Sequence, residues 1–173
     1  MNKKITIGLF GTCGNSTWRN RFMEAYDQRG IQYFNPLKED WKPEDAILES
    51  EHLIHDEIIL SPITNETYAY GSLAESGFFV LQAIKLNERR DIVIMIDPDV
   101  NVVDESFMST IEGVTAEAQR KDSIKMRHLV NVHLKKISYP NIYVVDSLDK
   151  MLKLSLELHA LQVLKEGLKR YTI

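Results

Sequence analysis

Glu75 stands where a carboxylate can do more than carry surface charge. It lies in the run Gly71-Ser72-Leu73-Ala74-Glu75-Ser76-Gly77, which follows an apolar segment (Glu57 to Pro62) and a polar, aromatic loop. Two readings are open. Ser72 and Glu75 have the S-x-x-E spacing of a capping box, in which both side chains satisfy orphan N–H groups at a helix start. A carboxylate in the first turn of a helix at the carboxyl edge of a parallel sheet also faces the crevice where such folds take ligands. Tyr68, Tyr70 and Leu73 would then shield it from water, and Gly71 and Gly77 would let backbone or sheet come close.

A second set of polar groups forms the glycine- and hydroxyl-rich stretch Gly11 to Thr17. Cys13, the single cysteine, falls at a possible helix N-terminus, a place that lowers thiol pKa values. No partner group for nucleophilic cysteine chemistry is identifiable. The histidines (His52, His55, His128, His133 and His159) lack HExxH or any other metal spacing and read as surface or core residues. Asp97 and Asp99 close a strand, where acids are common in turns.

The elements that must position these residues follow from hydrophobic pattern. KITIGLF (residues 4–10) reads as a buried strand. Trp18, Phe22 and Tyr26 recur every fourth residue, which predicts an amphipathic helix over residues 16–29 closed by a left-handed Gly30. A second strand spans residues 31–34 and stops at Asn35-Pro36. Pro43 suits a first helical turn, with Glu44 and Asp45 complementing the positive helix end, so a helix should run to about His55. Strands are expected at 57–62, 91–96 and 141–145. Helices are expected at 72–86, apolar nearly all round and therefore packed tightly on a sheet, at 104–137 with a break near Gly113, and at 148–169.

Alternating strands and helices imply right-handed βαβ units and a parallel sheet covered on both faces. The expected architecture is a single flavodoxin-like, doubly wound α/β domain over residues 1–173, with a five-stranded, mostly parallel sheet. Its carboxyl edge would gather Gly11–Trp18, Asn35–Trp41, Ser61–Glu75 and Asp97–Asp99 on one rim.

Composition narrows the classes. The 173 residues carry 21 Lys or Arg against 25 Asp or Glu, a formal net charge of −4, with 44% hydrophobic residues. That is ordinary for a globular domain and gives no reason to expect nucleic acid as a partner. No stretch approaches a membrane span, the N-terminus lacks the apolar run of a signal peptide, and one cysteine excludes an intrachain disulfide. A cytoplasmic location is the expectation.

Charge is unevenly spread. Residues 39–57 hold eight acids and one lysine, whereas residues 118–136 hold six Lys or Arg and one acid. These read as two solvated helix faces, or as surfaces that meet across a subunit interface. In the last helix Leu148, Leu152, Leu156 and Val163 form one stripe and Met151, Leu154, Leu158, Leu161 and Leu168 another. A surface helix needs one buried stripe, so a homo-oligomer assembled through this helix is expected.

The pattern G-S/T-x-x-E-x-G after the third strand resembles the nucleoside 2-deoxyribosyltransferase superfamily, which includes deoxynucleoside monophosphate N-glycosidases. The order of elements agrees from residue 5 to about residue 97, and Asn35-Pro36 with Asp40-Trp41 is similar to a transferase-like branch. The resemblance implies an enzyme that cleaves or exchanges the N-glycosidic bond of a (deoxy)nucleoside or its 5′-monophosphate, without metal or cofactor. Glu75 would be the nucleophile on the anomeric carbon, giving a glycosyl ester that water or an incoming base resolves. Phe10, Gly11 and Thr12 match the edge of the first strand that lines the sugar and base pocket. Gly71 and Ser72 belong to the motif itself, and Glu49 is within a residue of the family's sugar- or base-contacting acid. Asn35, Asp40 and Trp41 would bind the base by hydrogen bonds and stacking; Trp41 also reads as a staple before the Pro43 helix. Gly14–Thr17 with Arg19 could hold a 5′-phosphate, or form an ordinary turn capped by Ser16. Transferases of the family carry an aspartate just before the motif where this chain has Ala69 and Tyr70, which counts against ordinary base exchange. Two other functions compete with this one: a flavodoxin-like module binding FMN on Thr12–Thr17, and a catalytically silent nucleotide sensor.

Overall fold

The computed structural model describes residues 4–86, 90–102 and 113–171. Strands β1 (Thr6–Leu9), β2 (Gln32–Phe34), β3 (Ile58–Ile63), β4 (Asp91–Ile96) and β5 (Ile142–Val145) alternate with helices α1 (Trp18–Asp27), α2 (Pro43–His55), α3 (Tyr70–Lys85), α4 (Ala116–Leu134) and α5 (Leu148–Leu168). All ladders are parallel, in the order β2-β1-β3-β4-β5. This is the flavodoxin-like arrangement expected from the sequence, with strand order reversing between β1 and β3. No helix among the described residues is long and apolar enough to cross a membrane.

The strands are apolar on both faces because both faces are covered. Ile7, Leu9, Ile58, Leu60, Val93 and Met95 pack with Trp18, Phe22 and Tyr26 of α1 and Met151 and Leu158 of α5. The alternate residues Ile59, Ile63, Ile92, Ile94 and Ile96 pack with Leu73, Phe79, Val80 and Ala83 of α3 and Leu134 of α4, with Leu53 of α2 beside them. Thus α1 and α5 cover one face, and α2, α3 and α4 the other.

Local signals place most boundaries within two residues. Gly30 has φ +63°, and the Ile31 N–H closes α1 onto the Tyr26 carbonyl at 3.0 Å. Pro43 opens α2. The expected helix 104–137 is α4 from Ala116, begun by Thr115 Oγ1 accepting from the Ala118 N–H at 3.2 Å; the start of the expected span lies outside the described residues. Gly113 turns there with φ +83°.

Two packing expectations need correction. Helix α3 is not packed all round: Phe78 and Leu81 are 67% and 63% exposed, because only the side bearing Leu73, Phe79, Val80 and Ala83 reaches the sheet. In α5 the buried stripe keeps Met151 and Leu158 of the second expected row and completes it with Ser155 and Gln162, while Leu148, Leu152, Leu154 and Leu156 are half-buried against the core. Two of its members are polar because each meets a polar group of the domain. Ser155 bonds the Tyr26 hydroxyl at 2.6 Å, and Gln162 Nε2 donates to Asp91 at 2.7 Å. Apolar exposure on α5 is concentrated in its second half, at Leu161, Val163, Leu164 and Leu168.

Candidate active site

Phe10 leaves the end of β1 and folds its ring back over Gly8, where an added Cβ would lie 2.6 Å from the ring. A side chain at position 8 would therefore occupy the space the ring fills. The ring packs 5.5 Å from that of Phe79 and 6.0 Å from that of Phe34. Above this aromatic floor α2 supplies Ala46, Glu49, Ser50 and Leu53, which recur at helical spacing on one face, and α3 supplies Glu75, Phe78 and Phe79. Together they line a cleft of about 310 Å³.

Two carboxyl groups face this cleft. Glu49 accepts a hydrogen bond from Trp41 Nε1 at 3.0 Å, which orients it. Glu75 has no hydrogen-bond or ion-pair partner among the described residues, and its backbone position leaves much of its side chain exposed. Its carboxyl is held above the usual range, first by desolvation against the apolar cleft wall and second by the like charge of Glu49. Two acids lining one cleft beside apolar and aromatic groups are an arrangement that keeps one carboxylate basic and nucleophilic.

The capping-box reading of Ser72 and Glu75 is overturned. Helix α3 begins at Tyr70, so Ser72 and Glu75 lie inside it and cannot cap; the N-cap is Ala69, left-handed at φ 54° and without a side-chain cap bond. Ser72 is buried in the α3 interface. Gly71 and Gly77 permit no close approach, since a Cβ at either would meet nothing within 4 Å.

The turn that launches α3 is fastened by α4. Tyr70 Oη donates to the Gln119 carbonyl at 2.9 Å, Tyr68 Oη to that of Ala116 at 3.1 Å, and Ser123 Oγ to that of Tyr68 at 2.7 Å. Arg127, fully buried, donates to the carbonyls of Thr64 at 2.9 Å, Thr67 at 2.8 Å, Asp97 at 3.0 Å and Ile63 at 3.3 Å. Sequence reasoning placed Arg127 in a solvated basic strip. The signal it passed over was the four-residue recurrence Gln119, Ser123, Arg127, a polar stripe on the inner face of α4.

Other residues named from the sequence lie away from the cleft. Gly11, at φ +92°, brings its Cα so close to β3 that a Cβ would lie 2.4 Å from the Pro62 carbonyl. Thr12 is buried, its N–H donating to Pro62 O at 2.9 Å and its hydroxyl accepting from Thr64 N at 2.9 Å. Both residues stitch β1 to β3 below the site. Asn35 Oδ1 accepts from Leu37 N at 3.0 Å in a tight turn, and Asp40 pairs with Lys42 at 3.3 Å on the surface.

The Gly14–Thr17 loop is occupied by protein groups. Arg19 is buried, its Nε donating to Leu9 O at 2.9 Å and its NH1 to Thr12 O at 2.6 Å. Ser16 does not cap α1, whose N-cap is Thr17. Its hydroxyl instead bonds the Glu66 carboxylate, which also accepts from Thr64 Oγ1 at 2.7 Å. A carboxylate on the loop's hydroxyls repels a phosphate, so this loop suits neither FMN nor a 5′-phosphate as it stands. A larger cleft of about 420 Å³ lies beyond it, between the starts of α1 and α5, with Glu66, Asp97, Asp146 and Asp149 in its lining. It lacks an aromatic wall facing an acid without a partner, so the chemistry is assigned to the smaller cleft.

Among the described residues no group of histidine, cysteine and acidic side chains is arranged to hold a metal ion. Comparison of the sequence with models of protein families and with curated proteins gave no match. Fold and site together define a flavodoxin-like α/β domain with an acid pair in an aromatic cleft beside the reversal of strand order.

Proposed function

We propose that this protein cleaves or exchanges the N-glycosidic bond of a nucleoside or nucleotide, with Glu75 as the nucleophile. The observation that carries the reading is the Glu75 carboxyl, without a partner among the described residues, which lines with Glu49 a cleft walled by Phe10, Phe78 and Phe79 and is raised in pKa there. The motif resemblance supplies the reaction class, and Glu75 has no capping role at this position in α3.

In the step proposed, a Glu75 oxygen forms a bond to C1′ as the C1′–N bond breaks. The base leaves with that electron pair and takes a proton from water at the open mouth. The oxocarbenium-like centre is stabilised by the adjacent anion and trapped as a glycosyl ester. Glu49, oriented by the Trp41 indole, accepts a hydrogen bond from a sugar hydroxyl or a base N–H. Water attacking C1′ releases the free sugar; a second base attacking there completes a transfer. The aromatic walls fit a planar base by stacking and edge contacts. A reducing, cytoplasmic setting suits a chain with one exposed cysteine, Cys13.

A chromatographic screen of nucleosides and 5′-monophosphates, with and without an acceptor base, tests the reading directly. Release of free base by the wild-type chain, lost in Glu75→Gln, supports it. No release from any member of the panel overturns it.

A further inference from the structure

The cleft between α2 and α3 is acidic and aromatic and has no basic counterweight. Among the described residues its lining holds two carboxyl groups, Glu49 and Glu75, and no Lys, Arg or His. Glu49 stands on α2, and residues 39–57, which include that helix, hold eight acids and one lysine. That lysine, Lys42, lies 3.3 Å from Asp40, and Lys38 is paired with Asp45. Arg19 is near enough for its charge and that of Glu49 to attract. It is buried, however, and its Nε and NH1 donate to the carbonyls of Leu9 and Thr12. Phe10, Phe78 and Phe79 complete the walls, and the face of an aromatic ring itself attracts positive charge. A negative cleft with aromatic sides concentrates cations and repels anions.

We infer, resting on the glycosidic-bond reading above, that the substrate of this cleft is a nucleoside without a 5′-phosphate whose base carries a fixed positive charge, as in a pyridinium riboside. The chemistry of departure points the same way. A neutral base leaves as an anion unless an acid protonates it, and a positioned acid is worth on the order of 10²–10⁴-fold in rate. Of the two acids here one is the nucleophile, and the other brings negative charge to it; Ser50 offers only a hydroxyl. A base that is already cationic needs no proton. The Glu75 oxygen bonds to C1′, the C1′–N electron pair neutralises the ring, and the base departs uncharged. Water then attacks C1′, the ester electron pair returns to Glu75, and the proton of the water passes to solvent. Phosphate is disfavoured on the same ground of charge. It would lie near two acids with no cation in the lining, and the Ser16 hydroxyl of the Gly14–Thr17 loop is held by Glu66. A volume of about 310 Å³, at the lower end for ligand pockets, suits a nucleoside better than its nucleotides.

Base release by the full chain, followed by chromatography, tests the inference with substrates that share a pyridinium leaving group and differ in charge. Nicotinamide riboside should exceed both nicotinic acid riboside and nicotinamide mononucleotide by at least ~10-fold in kcat/KM, because each of these adds an anion to the same cation. It should exceed adenosine and cytidine, which need a proton to leave, by at least ~10²-fold. Recognition is read apart from turnover by calorimetry: 1-methylnicotinamide, a cation with no glycosidic bond, should bind at least ~10-fold more tightly than neutral nicotinamide. Glu49→Gln, which keeps an acceptor for Trp41 and removes the charge, should erase most of that margin. Release of base from neutral nucleosides as fast as from nicotinamide riboside, or a preference for the mononucleotide, overturns the inference and leaves the glycosidic reading standing. A cation bound no more tightly than its neutral counterpart, or a margin untouched by Glu49→Gln, overturns it as well. Release from none of these substrates overturns the reading and the inference together.

Discussion

Glu75 of α3 faces Glu49 of α2 across the aromatic cleft, and the charge of Glu49 helps hold the Glu75 carboxyl above its ordinary range. The two acids differ in support. Glu49 is tied to the Trp41 indole at 3.0 Å, while Glu75 has no partner among the described residues. That asymmetry assigns roles: the supported acid is held in place, and the unsupported one is available to bond with a substrate.

Glu75→Gln tests the assignment most directly. The substitution keeps shape and removes the nucleophilic charge, so base release should fall by at least ~10³-fold. Because the side chain is exposed and makes no bond in the fold, thermal unfolding should shift by no more than about 0.5 kcal/mol. Base release measured beside a melting curve checks both, and a stability loss with activity kept would return Glu75 to a structural role.

The pH profile follows from the same pair. A nucleophile must be ionised, so activity should rise with pH through the Glu75 pKa, which sits above the usual carboxylate range. Glu49→Gln removes a like charge, favours the ionised form of Glu75 and should move the acid limb of kcat/KM to lower pH. A limb that stays in place or moves upward would show that Glu49 does not act on Glu75.

How far the fold could be read from the chain depended on where the constraint was local. Gly30, Pro43 and the apolar runs act within a few residues, and the strands and α2 fall where they predict. Glu75, Glu49 and Phe10, all named through the motif resemblance, line one cleft. What could not be read was the cross-chain accounting. Ser72-x-x-Glu75 has the same letters inside a helix as at its start, and only the tyrosine anchors on α4 set α3 to begin at Tyr70. Arg127 carries its charge in a basic run, yet its donors go to carbonyls 30 or more residues away, a demand created by tertiary contact alone. The same holds for Gly11 and Gly8, whose need for glycine comes from Pro62 and from the Phe10 ring.

Gly8 gives a prediction that joins fold to site. In Gly8→Ala the new Cβ would stand 2.6 Å from the Phe10 ring and 2.9 Å from the Asp56 carboxyl, so the ring must shift toward the cleft. Overpacking of this kind costs about 1–3 kcal/mol, and the displaced ring should raise KM more than it lowers kcat. Gly71→Ala is the control: it meets open space inside a helix and should leave stability unchanged or raise it by up to about 1 kcal/mol. Chemical denaturation and substrate titration of the two variants should separate them clearly; equal behaviour would mean the Phe10 ring is not held by Gly8.

Arg127 supports the site from behind. Its guanidinium gathers the carbonyls at the ends of β3 and β4 and in the loop before α3, so Arg127→Met would leave those of Thr64, Thr67 and Asp97 short of a donor, while that of Ile63 keeps the Asp97 N–H at 2.9 Å. Each unsatisfied buried group costs ~1–3 kcal/mol, and a combined loss of at least ~3 kcal/mol is expected in urea unfolding. Arg127→Lys keeps the charge but cannot span carbonyls from Thr64 to Asp97 with one ammonium, and should recover only part of that loss. Loosening the loop also frees the first turn of α3, so backbone amides of residues 64–70 should exchange with solvent faster in Arg127→Lys, while those of β1 and α1, fastened by Arg19, keep their protection. Uniform protection across the domain in that variant would show that the carbonyl cluster is held by the sheet and not by the arginine.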